Sequence, residues 1–168
     1  MKSVKLLSLI VFTIFLTASL GKASNPEFGH RNEMSPLNVF KATLTGNNEV
    51  PARETKATGE AAFKISEDGS KIFYNLKLKD IENAKAAHIH AGKRGEEGAP
   101  VVGLFAGPKK EGMFSGVLVK GTISEADLIG PLAGKKIEDL VKLFKNGGAY
   151  VNVHTDRYPG GEVRGQIK

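Results

Sequence analysis

From Val39 onward, apolar and polar residues alternate with a period of two. Phe40, Ala42 and Leu44 fall on one side of a strand, and Ala57, Gly59, Ala61, Phe63 and Ile65 on one side of a second. Ser66-Glu67-Asp68-Gly69-Ser70 reads as a hairpin turn signalled by Asp-Gly, and Ile72, Tyr74, Leu76 and Leu78 form the returning strand. Residues 80–85 read as a connection, followed by a strand containing Ala87-His88-Ile89-His90. Residues 92–100 form a glycine-bearing loop, with short apolar strands after it at 101–105 and 113–119. The period then changes. Ser124-Glu125-Ala126-Asp127 has the form of a capping box and opens a helical turn. Ile137, Leu140, Val141 and Phe144 recur at i, i+3, i+4 and i+7, and Asn146-Gly147-Gly148 stops that helix. Residues 149–154 and 162–167 are the last two strands, separated by a turn with Pro159-Gly160-Gly161. The expected fold is all-β: an antiparallel Greek-key β-sandwich or barrel with one short inserted helix.

The first 37 residues follow neither pattern. Lys2 and Lys5 precede an apolar run over 6–16, and small residues follow at Ala18, Ser19, Gly21 and Ala23. That order is a secretory signal peptide over 1–23, with an uncleaved anchor helix as the other reading. The run is shorter than the roughly 20 residues a membrane span needs, so no span is expected after cleavage. Residues 24–37, rich in Asn, Pro and charge, read as a flexible lead-in, and 38–168 as one β domain. The protein is therefore expected to be secreted or extracytoplasmic, in a periplasm or outside the cell.

Charge and composition narrow the function classes. The formal charge is +6; removing residues 1–23 takes away Lys2, Lys5 and Lys22 and no acid, leaving +3. Basic pairs such as Lys93-Arg94, Lys109-Lys110 and Lys135-Lys136 are scattered and not interleaved with aromatics. No nucleic-acid partner is expected, while an extracellular protein or an anionic cell surface is. The chain has no Cys, which excludes disulfides, thiolate metal sites and thiol catalysis. No Ser-His-Asp or paired-carboxylate motif speaks for a hydrolase. The residues leave open whether the protein is an enzyme.

The histidines carry the chemistry. His88 and His90 share one face of a strand, about 7 Å apart along it. His154 ends the alternating run Val151-Asn152-Val153-His154, on the face opposite the two valines. Three imidazoles on neighbouring strands suit copper, or zinc as the alternative, and leave a coordination position open. Asp156 or backbone carbonyls would orient the rings by accepting the second N–H. The competing reading makes the histidines structural, in an extracellular binding or adhesion module. His30, in the lead-in, is not expected to ligate. Arg164 offers either anion steering toward a metal or a pair with Glu162.

An ordered set of motifs resembles the CHRD domain, the module repeated in chordin. It comprises Phe40-x-Ala42-x-Leu44-x-Gly46-x-x-Glu49-Val50-Pro51, Gly59, Tyr74-x-Leu76, Ala87-His88-Ile89-His90 and Gly98-x-Pro100-Val101-Val102. Tyr150 to Thr155 and Pro159 to Ile167 complete it. The resemblance spans about residues 38–168 and implies a secreted single-domain β protein. The His-x-His strand, Val-x-Val-His and the closing Gly-Gly-x-x-Arg-Gly-x-Ile strand are also distantly similar to the copper half of copper–zinc superoxide dismutases. That similarity implies copper ligands at His88, His90 and His154 and an anion-guiding role for Arg164. The bridging and zinc histidines and the disulfide of that family have no counterpart here.

Overall fold

The computed structural model describes residues 38–168; the signal peptide expected over 1–23 and the lead-in over 24–37 lie outside the described residues. Seven strands follow one another: β1 Val39–Thr45, β2 Thr58–Ile65, β3 Ile72–Ala91, β4 Pro100–Phe105, β5 Lys110–Ile123, β6 Ala149–Thr155 and β7 Val163–Gln166. One α-helix, α1 Ile137–Lys145, is inserted before β6. All strand pairings are antiparallel. Strands β1, β2, β3, β6 and β7 close a ring, since β3 pairs with both β2 and β6 and β1 pairs with both β2 and β7. The last seam is joined at Thr45 opposite Arg164 and by reciprocal Lys41–Lys168 backbone hydrogen bonds of 2.8 and 2.9 Å. Around the ring the strands follow in chain order, β1-β2-β3-β6-β7, and β4 and β5 pair with β3 outside it.

Strand β3 organises the molecule and differs from expectation. Residues 80–85, read as a connection, belong to a continuous strand of 20 residues. Its first half pairs with β2 and β5, its second half with β6 and β4. The exchange of partners needs local kinks. Asp80 and Asn83 take positive φ values of 54° and 51°, which Asp and Asn tolerate better than most residues. Side chains satisfy the backbone there: Ser115 Oγ accepts the Asp80 N–H at 2.9 Å, and Asn83 Oδ1 accepts the Gly112 N–H at 2.8 Å. Ile81 between the kinks and Ala84 just after them remain fully buried, so the core continues through a stretch that is mostly polar.

The alternation sends Leu44, Phe63, Leu76, Ile89, Val151 and Val163 into the ring. Helix α1 contributes Ile137, Leu140, Val141 and Phe144 to the same core. Phe144 meets the rings of Phe40 and Phe63 at centroid distances of 5.4 and 5.3 Å. The segment Ser124–Asp127 does form a capping box on a short 3₁₀ turn, with Asp127 Oδ2 accepting the Ser124 N–H at 2.8 Å. Among the described residues no helix is long and apolar enough to cross a membrane.

Candidate metal centre

The strands that build the centre are the second half of β3 and its neighbour β6. In register, His88 faces Asn152, Ala87 faces Val153, and His90 faces Tyr150. Ala87, Ile89, Val151 and Val153 are buried inside the ring, so His88, His90, Tyr150, Asn152 and His154 share its outer face. Period two thus accounts for the whole face. His88, His90 and His154 each present a nitrogen, and these atoms lie within 4.8 Å of one another. All three side chains are half-buried.

Backbone carbonyls orient two of the rings. His90 Nδ1 lies 2.8 Å from Gly98 O, and His154 Nδ1 lies 3.0 Å from Pro159 O. A carbonyl only accepts, so each Nδ1 carries the hydrogen and each Nε2 keeps its lone pair. His88 Nδ1 is 3.0 Å from His154 Nε2 and therefore donates to it. His90 Nε2 is buried and has no hydrogen-bond partner. A buried acceptor left without a donor is costly, and this one belongs to a ring clustered with two further imidazoles. Metal binding would need only a shift of the His88 hydrogen from Nδ1 to Nε2, placing three lone pairs in the cluster. Asp156, expected as one orienting partner, is engaged elsewhere: its carboxylate takes Lys109 Nζ at 2.7 Å.

The loop over 92–99 fixes His90 from a second direction. The Gly98 N–H donates to Tyr150 Oη at 3.2 Å, and the Tyr150 ring stacks on His90 with centroids 5.1 Å apart. Gly98 thus serves both rings, and a Cβ there would overlap the Ala91 carbonyl oxygen. Gly98 enters the sequence reading only within a family motif, because its requirement is a close approach of two backbones. Glu49 was quoted only within a family motif.

Electrostatics keep the cluster neutral. Burial lowers His154 to about 4, with further repulsion from His88 and His90 and some opposition from the Pro159 hydrogen bond. Burial and repulsion by His90 lower His88; burial and the Arg164 charge lower His90, against its hydrogen bond to Gly98. Neutral imidazole is the ligating form.

Arg164 lies on the same outer face but does not join the three histidines. It is 2% exposed, and its Nη2 donates to Lys93 O at 2.9 Å and Glu96 O at 2.7 Å. Its guanidinium carbon sits 3.4 Å from the centroid of Tyr150, the ring that stacks on His90. The alternative pairing with Glu162 does not occur, since Glu162 accepts the hydroxyls of Thr55 and Thr155 at 2.6 and 2.7 Å. Beside Arg164, Asn152 Nδ2 donates to Glu49 Oε1 at 2.7 Å. Burial raises the Glu49 carboxyl to about 7, against the pull of Arg164, Arg53 and Asn152.

Fold and site together define a closed antiparallel β-barrel carrying three histidines on its outer face. Residues 40–167 match the model of the CHRD domain, and the chain belongs to that family. No curated protein and no solved structure matches the chain.

Proposed function

We propose that this CHRD protein is an extracytoplasmic metal-binding protein holding one metal ion at His88, His90 and His154. Copper is the first choice, zinc the alternative. The observation that carries the reading is three imidazole nitrogens within 4.8 Å of one another, with His90 Nε2 buried and without a hydrogen-bond partner. Buried polar atoms are generally hydrogen-bonded, and a metal would complete the coordination of this one. The donor set is all imidazole, which suits Cu and Zn, and Gly98 and Pro159 supply the outer hydrogen bonds that metal-binding histidines use. Three protein ligands leave a position open for water or a small molecule, which for copper means weak redox chemistry. The sequence likeness to the copper half of superoxide dismutases supports copper. The Arg164 charge acts on the His90 side of the cluster and would favour approach of an anion.

Elemental analysis of the secreted protein, as purified and after copper or zinc loading, tests the reading. The expected result is about one ion per chain. Combined His88→Ala and His90→Ala substitutions should abolish it; unchanged stoichiometry would favour the adhesion module with structural histidines. Copper-loaded protein inert toward superoxide would remove the redox part and leave metal binding standing.

A further inference from the structure

A second site lies on the outer face at the β1–β7 seam. A cavity of about 310 Å³ is lined by Thr43, Asn48, Arg94, Arg164, Gln166 and Lys168. None of the three histidines lines it, and neither does any Asp or Glu side chain; the Lys168 main-chain oxygen at its edge takes the Lys41 N–H at 2.8 Å. Its walls hold three cations and three neutral polar side chains. Arg164 is the unusual member. It is nearly buried, yet it forms no ion pair with any carboxylate among the described residues. Its charge is felt by the buried Glu49 carboxyl but not in direct contact, and carbonyl oxygens satisfy only its Nη2. Among the described residues, Nε and Nη1 make no hydrogen bond to a protein acceptor.

The position of Arg164 is also fixed in advance. Lys93 O, Glu96 O and the face of Tyr150 hold the guanidinium plane, so little side-chain freedom remains to be lost on binding. Arg94 reaches the cavity from the 92–99 loop, where Nη2 lies 3.4 Å from Asn48 Oδ1, and Lys168 reaches it from the strand end. Three positive charges around one small cavity match a dianion better than a single carboxylate. Arginine's fork suits tetrahedral oxoanions. A volume near 310 Å³ is at the small end of ligand cavities, which run from about 300 to 1,000 Å³.

We infer that this cavity is a binding site for a phosphate- or sulfate-type oxoanion, free or carried on a small molecule, separate from the metal centre. Arg164 is its fixed anchor, and Arg94 and Lys168 supply the remaining charge. The inference does not depend on metal occupancy.

Titration calorimetry of the full chain with inorganic phosphate, sulfate and glycerol 2-phosphate, at constant ionic strength set with chloride, tests it. Saturable one-site binding is expected. Both Arg94 and Lys168 are exposed, so combined Arg94→Ala and Lys168→Ala substitutions leave the fold intact. They should weaken binding by about tenfold or more, as loss of two charge-assisted contacts implies. His154→Ala, a metal-centre variant whose ring is tied to Pro159 and not to the 92–99 loop, should leave the anion affinity unchanged. Tighter binding of the ester than of inorganic phosphate would assign a carried oxoanion, and the reverse a free one. Unaltered binding in the Arg94/Lys168 variant, or loss of binding in the histidine variant, would overturn the proposal. So would a response to chloride equal to that to phosphate.

Discussion

Gly98 holds two rings with one peptide. Its carbonyl takes the His90 Nδ1 hydrogen and its N–H reaches Tyr150 Oη, while Ala91 packs where a side chain would go. Gly98→Ala should therefore destabilise the fold by roughly 2–4 kcal/mol, the range of a strained backbone site, and also weaken metal binding. Denaturant melts and a copper titration check the two effects; an unaltered melt would show that the loop gives way freely. The pH dependence is set at the same scale. The folded histidines have lowered affinities for protons, His154 down to about 4 from 6.5. Below about 6.5 the unfolded chain takes up protons first, so these groups lower stability as pH falls from about 6.5 toward 4. Glu49 acts in the opposite sense. Its folded value, about 7 against 4.5, means that stability falls as pH rises through that window. Between about pH 4.5 and 7 the wild type should lose melting temperature relative to Glu49→Gln, since an amide does not titrate. Parallel pH profiles of the two proteins over that range would contradict the burial of an ionisable Glu49. The histidine set was legible in the sequence because strand period alone places His88, His90 and His154 on one face. The orienting carbonyls were not legible, because Gly98 and Pro159 act through backbone atoms that any residue possesses.

Among the elements, α1 and β3 show where pattern reading works and where it stops. The i, i+3, i+4, i+7 run of α1 is strong enough to be read directly, and all four of those residues are buried. Phe144 wedges against Phe40 and Phe63. Phe144→Ala should cost about 3–5 kcal/mol, as for a large aromatic removed from a core, with the metal centre unaffected because no histidine touches that ring. Chemical denaturation and metal stoichiometry of the same variant check both halves; a loss below about 1 kcal/mol would mean that the helix is not part of the cooperative core. Strand β3 was harder. Its polar stretch around Asp80 and Asn83 looks like a loop, yet kinks at positive φ let one strand serve four partners. Register exchange depends on contacts far away in sequence, such as Ser115 with Asp80, which local composition does not encode. Placing His88 and His90 beside His154 depends on that long strand, so the site and the topology have one origin.

At the scale of the whole molecule, the described residues 38–168 contain a closed β ring and the family match covers 40–167. The β pattern begins at Val39, where β1 pairs along its full length with β2. A chain starting at Leu37 should therefore keep a single cooperative thermal transition with an unshifted midpoint. A lost or broadened transition would show that residues before 37 contribute to the folded state. The fold class was legible because alternation, turn residues and the helical run agree with one another. The cavity at the β1–β7 seam was not, because it joins residues from both ends of the domain. The account centres on three histidines acting together on one ion. Its most direct test is calorimetric titration of Cu(II) into the wild-type protein and into three single variants, His88→Ala, His90→Ala and His154→Ala. Far-ultraviolet circular dichroism confirms that each is folded. The account predicts one tight site in the wild type and a loss of about a hundredfold or more in every variant, beyond what removing an outer hydrogen-bond partner costs. Wild-type affinity retained in any one of the three folded variants would contradict it.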